Sequence, residues 1–169
     1  LKVWSDKTQS EINRLNAIND LAWDLMGSDL DSSFSLGEIQ FKYAKFINEK
    51  KWMSKALNIK GASKYFKANY STALLFFQES LKLQLEIENK TGIANAYNLI
   101  GVIRKEQQEY EDALKQYEKS LSIYESIQDL PGVAKAYNNI GEVYYRLKDY
   151  QMALDYHLKC VNLNVDLKN

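Results

Sequence analysis

The fold is decided by a ten-residue segment that occurs twice, as GIANAYNLIG at residues 92–101 and as GVAKAYNNIG at residues 132–141. The two copies start 40 residues apart, and the residues around them keep that spacing. Six sets repeat in this way: Ala56, Ala96 and Ala136; Asn58, Asn98 and Asn138; Gly61, Gly101 and Gly141; Tyr70, Tyr110 and Tyr150; Ala73, Ala113 and Ala153; Leu74, Leu114 and Leu154. Because a fixed period of this length is typical of repeat arrays, we expect several copies of one structural unit.

Each copy contains two segments with helical periodicity. In the fourth copy, Ala134, Tyr137, Ile140, Gly141 and Tyr144 follow the i, i+3, i+4, i+7 rule of an amphipathic helix. The short turns KANY, QQEY and LKDY inside the copies predict antiparallel helix pairs. The predicted helices are about 11–27 and 31–48, 51–67 and 70–88, 92–107 and 110–128, and 132–147 and 150–167.

The connections between copies, ENKTG and QDLPG, contain capping and turn residues. Asp129 is predicted to be an N-cap, and Pro131 to lie in the first turn of its helix, where a missing N–H costs nothing. Inside the pairs, Gly101 and Gly141 are expected to allow close approach of the two helices. Ala113 and Ala153 would do the same from the opposite helix, with Tyr97, Tyr137, Tyr117 and Phe77 filling the space around those contacts.

The copies are predicted to span residues 11–50, 51–90, 91–130 and 131–169, after a leader at residues 1–10. In the first copy Leu21 replaces the glycine, and Gly37 stands where Phe77, Tyr117 and His157 stand later. Val3 and Trp4 are expected to fold onto the first pair as a cap. The chain begins with leucine, and we expect it to be a fragment of a longer protein.

Composition excludes several classes of function. The 169 residues include 22 basic and 22 acidic ones, and this balance argues against a nucleic-acid-binding protein or one held at an anionic membrane. One cysteine and one histidine exclude a disulfide framework and leave no predicted metal site or cofactor. The sequence contains no signal peptide and no membrane-spanning segment, so cytoplasm and periplasm are both compatible with it.

The order of large residue, isoleucine, glycine, tyrosine, alanine and a small residue resembles the tetratricopeptide repeat. In the fourth copy the match is carried by Tyr137, Ile140, Gly141, Tyr144, Tyr150, Ala153 and Cys160. The standard repeat is about 34 residues long, so a 40-residue copy implies longer helices. The resemblance implies an all-α fold, a right-handed α-solenoid of about four antiparallel helix pairs, with a concave surface formed by the first helix of each pair.

A second resemblance concerns the start of the chain. Residues 1–45 are similar to the start of the repeat-containing sensor regions that precede adenylate cyclase or histidine kinase domains in bacterial signalling proteins. The residues that carry the match are Arg14, Leu15, Asn16, Asp20, Leu21, Ala22, Trp23, Asp31 and Ser32. This likeness implies that the chain is the input region of such a protein.

The tetratricopeptide resemblance also implies a binding surface on the first helices. Its predicted residues are Lys55, Asn58, Tyr65, Asn95, Asn98, Lys105, Lys135, Asn138, Tyr145 and Arg146, with Ala62, Phe66, Val102, Glu106 and Glu142 on the same faces. The repeated asparagines would hold the backbone of an extended peptide, because an amide both donates and accepts hydrogen bonds. Lys55, Lys135 and Arg146 would contact its carboxylates. The alternative is that the asparagines bond to a neighbouring helix.

For the remaining candidates, a structural role is the better interpretation. Tyr65, Tyr145 and Phe66 would anchor a partner's side chains or pack against their own helices. His157 takes the repeat place of Phe77 and Tyr117, and Cys160 that of Ser80 and Ser120. We therefore predict a packing residue and a core thiol rather than a catalytic pair.

The last predicted helix carries more apolar residues than a solvent-facing end of an array needs. They are Leu154, Leu158, Val161, Leu163, Val165 and Leu167. Further repeats, the rest of a parent protein or a second copy of the chain are expected to cover them.

Together these features predict a non-catalytic interaction or sensor module for a peptide or protein partner. Binding on the concave face would be signalled to an output domain or a dimer partner by a change in curvature. Two alternatives are the regulatory region of a cyclase or kinase, and a pure scaffold or oligomerisation segment.

Overall fold

A computed structural model describes residues 5, 6 and 8–166, and all regular secondary structure in this part of the chain is helical. The predicted all-α fold is therefore confirmed. The helices are α1 (Glu11–Asp24), followed by a 3₁₀ turn (Leu25–Gly27), α2 (Leu30–Phe46), α3 (Lys50–Phe66), α4 (Tyr70–Glu86), α5 (Lys90–Glu106), α6 (Tyr110–Ser126), α7 (Leu130–Arg146) and α8 (Tyr150–Asp166). Val3, Trp4 and Leu167, for which packing roles were predicted, lie outside the described residues.

The chain forms two compact units, residues 1–87 and residues 88–169. The N-terminal unit contains α1 to α4, and the C-terminal unit contains α5 to α8. Within each unit every helix packs against the next one in the chain. Each unit therefore consists of two of the predicted antiparallel pairs.

The helices follow one another at a spacing of 20 residues. From α2 onward each has 17 residues and is separated from the next by a three-residue turn. The predicted starts at residues 92 and 132 were two residues late, because the connections between pairs are the same turn as those within pairs. Gly92 and Gly132 consequently lie inside α5 and α7.

The turn satisfies the carbonyl groups at the end of one helix. After α2, the N–H of Asn48 donates to the carbonyl of Lys45 (3.2 Å), and that of Glu49 donates to Ala44 (2.8 Å). These two bonds form a Schellman motif, which requires a left-handed residue between them. Asn48 adopts that conformation at a φ of 59°. Its counterparts in the other turns are Ala68, Glu88, Gln108, Gln128 and Lys148, all with positive φ.

In three of the six turns, the side chain of the last residue also caps the next helix. The Asp129 carboxylate accepts a hydrogen bond from the Gly132 N–H (3.0 Å), and Pro131 lies in the first turn of α7. Both predictions for this connection are confirmed. Asn69 and Asp149 cap α4 and α8 in the same way. One three-residue unit thus ends a helix and starts the next.

Glycine allows each pair to close over an aromatic ring. A Cβ at Gly101 would lie 2.6 Å from Cε1 of Tyr117, and one at Gly61 would lie 2.4 Å from Cε1 of Phe77. Distances this short are not compatible with any side chain at the glycine. His157 occupies the equivalent place over Gly141, as its position in the repeat predicted.

One turn after the aromatic ring, a serine links the two helices of a pair through a hydrogen bond. Ser120 donates to the carbonyl of Ala94 (2.8 Å), and Ser80 donates to the carbonyl of Ser54 (3.3 Å). Both serines are fully buried. Cys160, in the same repeat place, is only partly buried. The prediction of a core thiol was wrong in this respect, because α8 is more exposed than α4 and α6.

The first copy packs on the second despite its departures from the repeat pattern. Ile18 of α1, Leu36 of α2 and Ile59 of α3 form one buried cluster. Gly37, in the place of the aromatic ring, lets α2 approach α3, since a Cβ there would lie 3.1 Å from Cγ2 of Ile59. Exchanging the ring for glycine therefore moves the close contact to the following helix.

Replacing Gly101 with alanine should destabilise the protein. The added methyl would overlap the Tyr117 ring, which is fully buried and cannot move into solvent. Overpacking of this kind costs about 1–3 kcal/mol, of which the higher helix propensity of alanine returns at most about 1 kcal/mol. Urea denaturation of Gly101→Ala would measure the loss. Gly27→Ala is the matched control, because nothing lies within 4 Å of its added Cβ. Equal stability of the two variants would contradict the close-contact argument.

Candidate partner-binding surface

The first helices of the two pairs in the C-terminal unit are joined by a pair of asparagines. Asn98 of α5 accepts a hydrogen bond at Oδ1 from Nδ2 of Asn139 in α7, at 2.7 Å. Asn98 is buried, with 7% of its surface exposed. This geometry is the one expected of a structural asparagine, because the amide oxygen is already used by a neighbouring helix.

Asn95 has a similar internal partner. Its Oδ1 accepts a hydrogen bond from the hydroxyl of Tyr124 at 2.7 Å. Tyr124 lies across Gly132, where an added Cβ would be 2.3 Å from the ring, and burial raises the pKa of its phenol to about 12. Asn95 therefore satisfies a buried hydroxyl group that would otherwise lack an acceptor.

Asn138 occupies the same repeat place as Asn98 but is exposed. Lys135, one turn earlier on α7, is also exposed. Residues three apart on a helix lie on one face. Neither side chain has a hydrogen bond or an ion pair within the described part of the chain. These two residues therefore present an amide and an ammonium group to solvent on one face of α7.

The other predicted cations of this unit have carboxylate neighbours. Lys105 Nζ lies 3.7 Å from Glu106 Oε1, and Arg146 Nε lies 3.0 Å from Glu142 Oε1. The hydrogen bond to Glu142 raises the pKa of the Arg146 guanidinium above its ordinary value. Lys105 and Arg146 are therefore largely neutralised, whereas Lys135 has no ion pair within the described part of the chain.

In the N-terminal unit, the predicted residues Lys55 and Asn58 lie one turn apart on α3. Lys55 Nζ sits 4.1 Å above the centre of the Trp52 ring. Burial lowers the pKa of the Lys55 ammonium, with Lys51 acting in the same direction and Asp20 against it. Asn58 Oδ1 is buried and lacks a hydrogen bond among the described residues. An amide oxygen in that state needs a donor from water or a ligand.

The predicted anchors Tyr65 and Tyr145 each pack against a second tyrosine ring across a turn, in a tilted arrangement. Tyr65 lies 5.9 Å from Tyr70, and Tyr145 lies 5.8 Å from Tyr150, between ring centres. Tyr145 remains 57% exposed, and Phe66, at 5.2 Å from Tyr65, is 59% exposed. Each tyrosine thus contributes to packing at a turn, and Tyr145 and Phe66 still present ring surface to solvent.

An apolar depression in the N-terminal unit was not predicted from the sequence. It is lined by Trp23, Met26, Gly27, Ser28, Leu30 and Phe66. Trp23 is 44% exposed although tryptophan is normally well buried. The available signal was its position outside the buried stripe of Leu15, Ile18 and Ala22 on α1.

Two other classes of site are not found in the described part of the chain. No group of three or more His, Cys, Asp or Glu side chains there is arranged to hold a metal ion. None of the described helices is both long and apolar enough to cross a membrane.

A family model described as "Tetratricopeptide repeat" matches residues 52–126 and 92–164, which together make up more than half of the chain. The chain therefore belongs to the tetratricopeptide repeat family, as its repeated residues indicated. Repeats of this family are protein-interaction modules, and this assigns the chain to that functional class. Among curated proteins, none matches it.

Solved structures show the same fold at low sequence identity. BtubC from P. vanneervenii has a TM-score of 0.78 at 16% identity, over 99% of this chain and 70% of that one. Aspartyl phosphate phosphatase F from Bacillus subtilis has a TM-score of 0.85 at 16% identity, over 95% of this chain and 43% of that one. A signal transduction ATPase with numerous domains and a tetratricopeptide repeat sensor, from Pyrococcus horikoshii, has a TM-score of 0.79 at 20% identity, over 96% of this chain and 26% of that one.

The Asn98–Asn139 bond should be measurable as a coupling energy. Removing either amide leaves the other without its hydrogen-bond partner and should lower the free energy of unfolding by about 1 kcal/mol. Removing both should lower it by less than the sum of the two single effects. Urea denaturation of Asn98→Ala, Asn139→Ala and the double variant would complete the cycle. Asn138→Ala is the control and should change the free energy of unfolding by less than about 0.5 kcal/mol. Strictly additive effects would show that the bond contributes nothing.

Proposed function

We propose that the chain binds an extended segment of a partner protein on the exposed face of α7, with Asn138 and Lys135 as its main contacts. The observation that carries this proposal is the difference between Asn98 and Asn138. The first amide is used by Asn139, whereas the second occupies the same repeat place, is exposed and has no described partner.

The two side chains define the chemistry of the partner. An exposed amide donates to a peptide carbonyl and accepts from a peptide N–H, so it recognises backbone of any sequence. An ammonium group one turn away selects a carboxylate through a charge-assisted hydrogen bond. The partner segment is therefore extended and carries an acidic side chain or a free C-terminus near the residue held by Asn138.

Two features of the N-terminal unit support binding there as well. The buried Asn58 oxygen lacks a donor among the described residues, and a peptide N–H would supply one. The depression beside Trp23 and Phe66 offers exposed aromatic surface of the kind that forms hot spots in interfaces. These residues form a second contact region for a protein partner.

The partner-binding role is proposed to serve bacterial signal transduction, with the chain as an input region. Support comes from the resemblance of residues 1–45 to sensor regions and from the fold shared with an ATPase whose repeats are described as a sensor. The gene on either side of these residues tests this part. A cyclase, histidine kinase or other output domain in the same reading frame would support it, and a gene without any such domain would contradict it.

The binding proposal is tested with peptides selected from a random display library. Fluorescence anisotropy of a selected peptide should give an affinity at least about tenfold weaker for Lys135→Ala/Asn138→Ala, since two contacts of about 1 kcal/mol each are lost. Lys135→Ala alone should also reduce the salt dependence of binding. Melting temperatures should be unchanged, because both side chains are exposed.

Lys115→Ala is the matched control, since it removes a lysine from the exposed face of α6. It should leave peptide affinity unchanged. Selected peptides that lack acidic groups, or that bind the double variant as well as the wild type, would refute the role assigned to α7.

A further inference from the structure

Helix α8 carries an uncovered apolar stripe. Leu154, Leu158, Val161 and Val165 are each between 50% and 54% exposed. They are spaced by four, three and four residues, so all four lie on one narrow face of the helix. Half-exposed aliphatic side chains in a continuous row indicate an interaction surface rather than scattered surface residues.

Helix α6 shows what a following helix of the array would cover. Its Leu114 and Leu121, in the places of Leu154 and Val161, pack against the cluster that contains Ile140 and Val143 of α7. Its Glu118, in the place of Leu158, stays exposed. So does its Glu125, in the place of Val165. Covering by a helix placed like α7 therefore leaves these last two places in water.

The N-terminal unit gives the same result. In α2, which is followed by α3, the equivalent places hold Glu38 and Lys45, and both are exposed. Helix α8 instead has leucine and valine there. A further repeat would account for Leu154 and Val161 but not for Leu158 and Val165, so the stripe is suited to a different occupant.

The spacing of the stripe is the same in both directions along the helix. When two such helices pair antiparallel about a twofold axis, Leu154 meets Val165 of the other copy and Leu158 meets Val161, with no residue left unmatched. A surface that is complementary to itself in this way is the requirement for a twofold-symmetric dimer. Four-three-four spacing is also the heptad seam of coiled-coil packing.

The residues beside the stripe do not oppose this pairing. Asp155 is neutralised along its own helix by Lys159, at 2.7 Å. Asn162 and Asn164 are uncharged, and the side chain of Asn164 donates to the Cys160 carbonyl. Neither Asp155 nor the two asparagines would bring like charges together across the axis, whereas in the same arrangement Glu118 and Glu125 of α6 would each be placed against a leucine.

We infer that the α8 stripe is a dimer interface in which a second copy of this chain docks its own α8 in antiparallel orientation. This interface is separate from the α7 face assigned to the partner, so either assignment stands without the other.

Sedimentation velocity and multi-angle light scattering of the 169-residue chain test the inference. The wild type should be a dimer. Leu158→Glu/Val165→Glu should be a monomer, with at least a hundredfold weaker self-association and unchanged helicity by circular dichroism. This variant is expected to fold, because α6 has glutamate in both places. Leu75→Glu is the matched control, since Leu75 is an exposed leucine of α4 (64%), and it should remain a dimer.

Disulfide trapping tests the orientation in a Cys160→Ser background. Antiparallel pairing predicts that Leu158→Cys and Val161→Cys chains cross-link when mixed and do not cross-link when separate. A monomeric wild type would overturn the inference and would mean that the stripe on α8 does not bind a second copy of the chain. A dimer that survives Leu158→Glu/Val165→Glu, or cross-links only between identical variants, would overturn it as well.

Discussion

The constraint on which the structure depends is the three-residue turn between helices. Its middle residue adopts the left-handed conformation, its N–H groups close the preceding helix and its last residue opens the next one. Because the turn has a fixed length and every helix from α2 onward has 17 residues, helices start every 20 residues and equivalent side chains recur every 40. Non-glycine residues in the left-handed region cost roughly 1–2 kcal/mol each, and the hydrogen bonds of the turn offset that cost.

Because the register is fixed, each place in the repeat faces the same part of the neighbouring helix in every copy. Its burial and its hydrogen bonds still depend on which residues that helix carries. From the second copy onward, the glycine place faces the ring of the next helix, whether that ring is Phe77, Tyr117 or His157. Chemistry therefore cannot be inferred from residue type alone. A histidine that would be a candidate base elsewhere is a packing residue here, because its position requires a flat side chain over a glycine.

The same reasoning explains how far the sequence predicts the structure. Periodicity and the turn residues were sufficient to predict the helix pairs, the close contact at Gly101 and the cap at Asp129. The first two depend on residues within one copy, and the cap depends on residues only three apart in the chain. Periodicity failed at residues 92 and 132, where glycine resembled a helix boundary but lies inside the first turn. It failed also for Cys160, whose burial depends on what lies beside α8.

The asparagines show why the site was harder to predict than the fold. Asn98 and Asn138 occupy the same place in the repeat. The sequence left two roles open for them, which were binding the backbone of a peptide and bonding to a neighbouring helix. Asn139 distinguishes them, because it takes the Asn98 oxygen while nothing described takes that of Asn138. A pattern of 40 residues contains no information on such a contact, which joins residues 41 apart in neighbouring copies.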